Sequence, residues 1–109
     1  MIDIVERVKR ANYKKWHIFA NEGSHALKRM EERNLNMIDV KNIIKSGEIL
    51  PNADSRVVLC VGKKGQEFYT LVLQPLFEAK AWSLWTPRQS NIDEKRKCKE
   101  SKRQKKVKV

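Results

Sequence analysis

From Ile2 to about Lys15 the apolar residues Ile4, Val5, Val8 and Ala11 recur at spacings of three and four, which predicts an amphipathic helix. Its other face carries Arg7, Lys9, Arg10 and Lys14. The short apolar stretch Trp16 to Ala20 reads as a brief strand, and the polar cluster Asn21-Glu22-Gly23-Ser24 after it offers a strand end and a helix cap. A helix from about Ser24 to Arg33 follows, with Ala26, Leu27 and Met30 on one face and Lys28, Arg29, Glu31, Glu32 and Arg33 spread around the rest. Asn34-Leu35-Asn36 breaks it. Asn36 caps a further helix in which Met37, Val40, Ile43 and Ile44 are apolar, and Gly47 stands where a left-handed C-cap residue is expected.

The second half changes period. Arg56 to Val61 is a β-branched apolar run, Gly62-Lys63-Lys64-Gly65 is turn chemistry, and Phe68 to Leu73 is another run, which together predict a hairpin. A third run, Ala79 to Thr86, sets Trp82, Leu84 and Thr86 on one parity and Ala81, Ser83 and Trp85 on the other, with Pro87 as its expected stop. The order α-β-α-α-β-β-β predicts an α+β fold: an N-terminal helix, a short strand, and a helix pair packed on one face of an antiparallel sheet.

Composition changes this picture at one end. The chain of 109 residues holds 24 Lys or Arg against 13 Asp or Glu, a formal charge of +11, while 40% of residues are apolar. That describes one folded basic domain with an anionic partner such as nucleic acid, a membrane surface or an acidic protein. Residues 93–109 carry nine of the basic residues against three acidic ones, a net +6. We therefore expect a domain over residues 1–92 and a basic, flexible, solvated tail over 93–109 that adds almost nothing to the core. No stretch approaches the length of a membrane span and Ile2-Asp3-Ile4-Val5-Glu6 does not open a signal peptide, so a cytoplasmic location away from membranes is expected. Cys60 and Cys98 sit far apart in unlike settings, which argues against a disulfide, and with His17 and His25 they assemble no zinc spacing. No metal and no cofactor is expected.

Ser24-His25-Ala26-Leu27-Lys28-Arg29-Met30-Glu31-Glu32-Arg33, then Asn36-Met37-Ile38-Asp39-Val40 and Ile44-Lys45-Ser46-Gly47-Glu48-Ile49, resembles the bacterial domain of unknown function 4258. The pattern is a His-Ala pair, an Arg-Met pair three residues on, a further Arg and a Gly-ended second helix. The resemblance covers about residues 16–88. That family is similar to RelE-like and BrnT-like toxins of toxin-antitoxin pairs, in which a helical pair packs on an antiparallel sheet whose face cleaves RNA. The resemblance therefore implies a RelE-like fold, RNA as partner, an antitoxin protein as second partner, and metal-independent endoribonuclease activity.

The residues themselves allow that chemistry. His25 falls in a first helical turn, where free backbone N–H groups attract phosphate, and it suits the role of a neutral proton-transfer base. Arg29 and Arg33 follow at i+4 and i+8, each about 40° around from the last, so the three form one polar stripe. Metal-free RNA cleavage needs a base for the 2′-hydroxyl, an acid for the leaving 5′-oxygen, and cations for the pentavalent phosphate. Arg88, at the end of the last strand, is the further catalytic candidate. Lys28, Lys63 and Lys64 are candidates for phosphate contacts, and Trp85, with Trp82 or Tyr69, for stacking a base.

Structural readings stand beside these. A helix-start His with Arg at i+4 also serves as a cap and a surface ion pair with Glu22, Glu32 or Asp39. Lysines at a Gly-flanked turn also serve solvation, and each tryptophan also serves the core. At the level of the whole chain, an RNA-binding ribonuclease domain competes with a non-catalytic nucleic-acid-binding module and with a protein-interaction domain of a mobile element.

Overall fold

The computed structural model describes residues 3–20 and 25–107, with side chains described as far as residue 100. The expected cap at Asn21 to Ser24 lies outside the described residues. Helix α1 (Ile4–Arg10) starts at Asp3, whose carboxylate accepts the Glu6 N–H at 2.9 Å. It ends short of the expected Lys15 because the backbone turns extended at Ala11. A 3-10 turn, Tyr13–Lys15, follows and sets the Tyr13 ring edge-on to Trp82 at 6.0 Å, while the Tyr13 carbonyl accepts the Trp82 indole N–H at 3.3 Å. Strand β1 (His17–Phe19) falls where the apolar stretch predicted it.

Helix α2 (His25–Glu32) ends in a Schellman motif: Asn34 takes the left-handed conformation (φ 55°), the Asn34 N–H bonds the Glu31 carbonyl, and the Leu35 N–H bonds the Met30 carbonyl at 2.8 Å. Met30 and Leu35, the residues this motif brings together, are both buried. Helix α3 (Met37–Ser46) opens on a capping box, with the Asn36 side chain accepting from the Asp39 N–H at 2.8 Å and the Asp39 carboxylate accepting from the Asn36 N–H at 3.0 Å. The expected helix pair is thus in place.

Gly47 corrects one expectation. Its backbone is extended (φ −86°), not left-handed. A Cβ there would meet the Ile43 and Val61 carbonyl oxygens at 2.5 Å, and one on Gly62 would meet the Ile43 oxygen at 2.8 Å. These glycines are needed because α3 lies almost against the sheet. After Gly47 comes a strand that the sequence did not announce, β2 (Glu48–Pro51), then β3 (Val58–Lys64), β4 (Glu67–Leu76) and β5 (Ala81–Gln89). The β3–β4 hairpin is there, but Gly62 and Lys63 belong to the strand. The turn is Gly65-Gln66, with Lys64 opposite Glu67 and Gly65 at φ 63°.

The sheet order is β1-β5-β4-β3-β2. It is mixed, because β1 runs parallel to β5 while all other neighbours are antiparallel. Pro87 does not stop β5; it sits opposite Leu71, beyond the reach of β1, which pairs only with Ala81 to Ser83. Among the described residues no strand pairs with that side of β5 at Pro87, and an unpaired edge tolerates a proline.

Strand alternation sorts the residues onto two faces. Cys60, Leu71, Leu73, Trp82 and Leu84 pack with Val40, Ile43, Ile44, Ala26 and Met30 of the helix pair. Val61 and Phe68 point the other way and pack with Cys98 of a fourth helix, α4 (Ile92–Val107). Residues 93–107 of the expected flexible tail are therefore helical, and helices cover both faces. Cys98 is fully buried and Glu94 is 6% exposed. The two cysteines form no disulfide and lie on opposite faces of the sheet.

Alanine at Gly47 would have to displace backbone rather than a flexible side chain. Overpacking of this kind costs about 1–3 kcal/mol. Gly47→Ala should therefore lower the urea midpoint of unfolding, and an unchanged midpoint would contradict the close approach of α3 to β3.

Candidate functional site

The sequence-predicted residues divide between the two faces. His25 is exposed at the first position of α2, and Lys28 and Arg29 are exposed on the same helix. Among the described residues Arg29 makes one loose surface pair, with Glu32 at 3.5 Å. Arg33 is half-buried just past the helix, and among the described residues its Nε is buried without a hydrogen-bond partner. An unsatisfied buried donor costs about 1–3 kcal/mol, more on a charged group.

Lys64 is occupied. Its ammonium donates to the Asn34 carbonyl at 2.5 Å and pairs with Asp39 at 3.0 Å, tying the β3–β4 hairpin to the α2–α3 turn. The Asp39 carboxyl is held below its usual range by the Asn36 amide and then by Lys64. Lys63, on the opposite face, is exposed and lies 5.1 Å from the centre of the Phe68 ring. Trp82 is wholly buried and Tyr69 is 8% exposed. Trp85 is half-buried, donates to Gln74 at 3.2 Å, and has the Arg56 guanidinium 5.1 Å from its ring centre.

Arg88 lies across from Thr70, on the face of α4 and away from the helix pair. Both its terminal nitrogens bind the Glu94 carboxylate, at 2.7 and 2.6 Å. Glu94 also accepts from the Thr70 hydroxyl at 2.9 Å and from the Asn91 N–H at 3.0 Å, and Asn91 caps the Glu94 N–H in return at 2.8 Å. The Ser90 hydroxyl completes the network through Thr70. Burial opposes the charged carboxylate, but these bonds outweigh it and hold Glu94 below its usual 4.5. Arg88 thus docks α4 and is separated by the sheet from His25, Arg29 and Arg33.

A basic groove between the 3-10 turn, β1 and α3 was not anticipated. One hollow of about 310 Å³ is lined by Lys14, Lys15, Trp16, His17, Lys41 and Lys45, over Ile18 and Ile44. Its signals were the Lys14-Lys15-Trp16-His17 run and the i, i+4 spacing of Lys41 and Lys45. Among the described residues no group of His, Cys, Asp and Glu is placed to hold a metal, and no helix is long and apolar enough to cross a membrane. Tyr13, pushed up to about 12 by burial with help from Cys60 and Glu48, and Cys60, also raised by burial, offer no proton transfer near neutrality.

Among the described residues this is an α+β domain with four helices and a five-stranded mixed sheet. Residues 23–74 match the model of the family described as Domain of unknown function (DUF4258), which bears out the resemblance read from Ser24 to Ile49. The match takes in α2, α3, β2, β3 and most of β4, a shorter span than the 16–88 expected, and leaves Trp85 and Arg88 outside. The crystal structure of the Brucella abortus ribonuclease toxin BrnT, at 1.1 Å resolution, is similar in fold: TM-score 0.56 over 71% of this chain and 99% of that one, at 15% identity. A search of curated proteins returned no match.

The Glu94 network makes two measurable demands. Its folded pKa lies below the unfolded one, so its stabilisation is complete above about pH 4.5 and is lost as pH falls through the folded value. Glu94→Gln should flatten the acid limb of the stability profile and cost about 1–3 kcal/mol at pH 7. Truncation after Ile92 should lower the thermal midpoint. Identical acid limbs and an unmoved midpoint would return residues 93–100 to the role of a solvated arm.

Proposed function

We propose that this chain is a BrnT-like toxin that binds RNA and cleaves it without a metal, and that an antitoxin protein holds it in check. The observation that carries this reading is the fold shared with a ribonuclease toxin over nearly all of that toxin's length. The family-matched segment contains the exposed His25, the loosely paired Arg29 and the unsatisfied Arg33.

In this mechanism His25 takes the proton of the 2′-hydroxyl as its oxygen attacks the neighbouring phosphorus. Arg29 and Arg33 hold the extra negative charge of the pentavalent phosphate, and the imidazolium or a lysine such as Lys28 returns a proton to the departing 5′-oxygen. The products are a 2′,3′-cyclic phosphate and a free 5′-hydroxyl. Lys63 and Trp85 lie on the opposite face and contact a strand only where it wraps the sheet edge. Arg88 serves this reading by docking α4 rather than by touching phosphate.

Purified protein incubated with mixed RNA in EDTA should generate 5′-hydroxyl ends. A proton-transfer group contributes about 10²–10⁴-fold, so His25→Ala should lose that much rate with little change in RNA affinity, while Arg29→Ala should weaken both. RNA left intact by the wild type, alone and with translating ribosomes, would leave a nucleic-acid-binding module. Cleavage that survives His25→Ala would remove His25 from the mechanism.

A further inference from the structure

The cations of the described residues differ in how they are compensated. Arg10, Arg29, Arg56, Lys64, Arg88 and Arg96 each pair with a carboxylate. Lys15, Lys41 and Lys45 are exposed and make no ion pair among the described residues. These three line the hollow between the 3-10 turn and α3, together with Lys14 and His17.

A second hollow, of about 690 Å³, shares Lys15, Trp16 and His17 and continues past Phe77 to Lys80. The two run on either side of one segment, and neither is lined by an Asp or Glu. Uncompensated cations in a concavity with apolar walls concentrate the field there and draw in a polyanion.

Trp16 stands where the hollows meet. It is half-buried, held at 5.0 Å by the fully buried Trp82 and edge-on at 5.6 Å by Phe77, so the part it exposes is a rigid aromatic wall. A fixed aromatic beside a row of phosphate-binding lysines is the arrangement that takes unpaired bases, because a base in a duplex has no free face to stack.

We propose that the hollows on either side of Trp16 form a docking groove for single-stranded RNA. Its phosphates lie on Lys15, Lys41 and Lys45, and a base rests against Trp16. The choice of RNA over other single strands rests on the proposed function; the groove itself rests on the placement of these side chains. Lys14 to Ile18, Phe77 and Lys80 fall outside the family-matched residues 23–74, whereas Lys41, Ile44 and Lys45 fall within them, so the groove joins the matched segment to the residues that flank it.

The test is fluorescence anisotropy of the full chain with a labelled 2′-O-methyl RNA decamer, whose blocked 2′-oxygen resists cleavage, and with a DNA decamer of the same sequence. Removing one lysine that neutralises a phosphate should reduce the slope of log K against log salt by about 0.7. Lys41→Glu with Lys45→Glu should weaken RNA binding at least tenfold in about 0.1 M salt and flatten that slope by about 1.4. Lys95→Glu with Lys97→Glu changes the net charge equally, on α4 across the sheet from the groove, and should have a much smaller effect. Lys15→Glu alone should fall between them. Wild-type affinity in the groove variant, or an equal loss in the control, overturns the groove while cleavage by the wild type leaves the proposed function standing. Equal binding of the DNA decamer overturns the RNA assignment. No binding by the wild type overturns the groove, and with RNA also left uncut, the proposed function as well.

Discussion

At Gly47 and Gly62 helix α3 and strand β3 approach so closely that neither position has room for a side chain. The carbonyl of Ile43 points at Gly47 and Gly62 so closely that a Cβ on either would collide with backbone. This contact sets the separation of the helix layer from the sheet. It decides where Asp39 meets Lys64 and where Lys41 and Lys45 stand against the 3-10 turn, and it fills the space beneath with Val40, Ile43, Ile44 and Cys60. A helix pair held farther off would leave the buried Cys60 thiol without the Ile43 carbonyl that it now meets at 3.6 Å.

With that layer fixed, the positive charge divides by how it is compensated. A cation paired with a carboxylate has little field left for a ligand, and Arg88 is the clearest case: Glu94 binds both ends of its guanidinium and converts it into a dock for α4. Lys64 is similarly occupied by Asp39. On the helical side the exposed Lys28 and the lysines around Trp16 make no ion pair among the described residues, and Arg29 is held only by an exposed 3.5 Å pair with Glu32. The net charge therefore overstates how much of the surface is prepared for a polyanion.

Much of this was legible because it is local. The Asn36 cap, the break at Asn34, the helix pair, β1 and the hairpin are each written in a few adjacent residues. What escaped depends on partners far away in the chain. Glu48–Pro51 is four residues with a proline at its end and becomes a strand only beside β3. The parallel pairing of β1 with β5 joins residues near 18 and 82. The α4 segment was read by its average charge, which hid the Asn91–Glu94 capping box and the apolar Cys98 one turn later, although both are in the sequence. For the candidate site, the stripe was visible because helical spacing defines it, whereas the groove draws on residues 14–17, 41–45 and 77–80 and exists only after folding.

The most direct measurement is photo-crosslinking of a 4-thiouridine RNA to the full chain, with the attached peptides sequenced by mass spectrometry. Adducts on residues 14–17 and 41–45 and from His25 to Arg33 are the predicted result. Adducts confined to the basic α4 segment, with none on the helical face, would contradict the account.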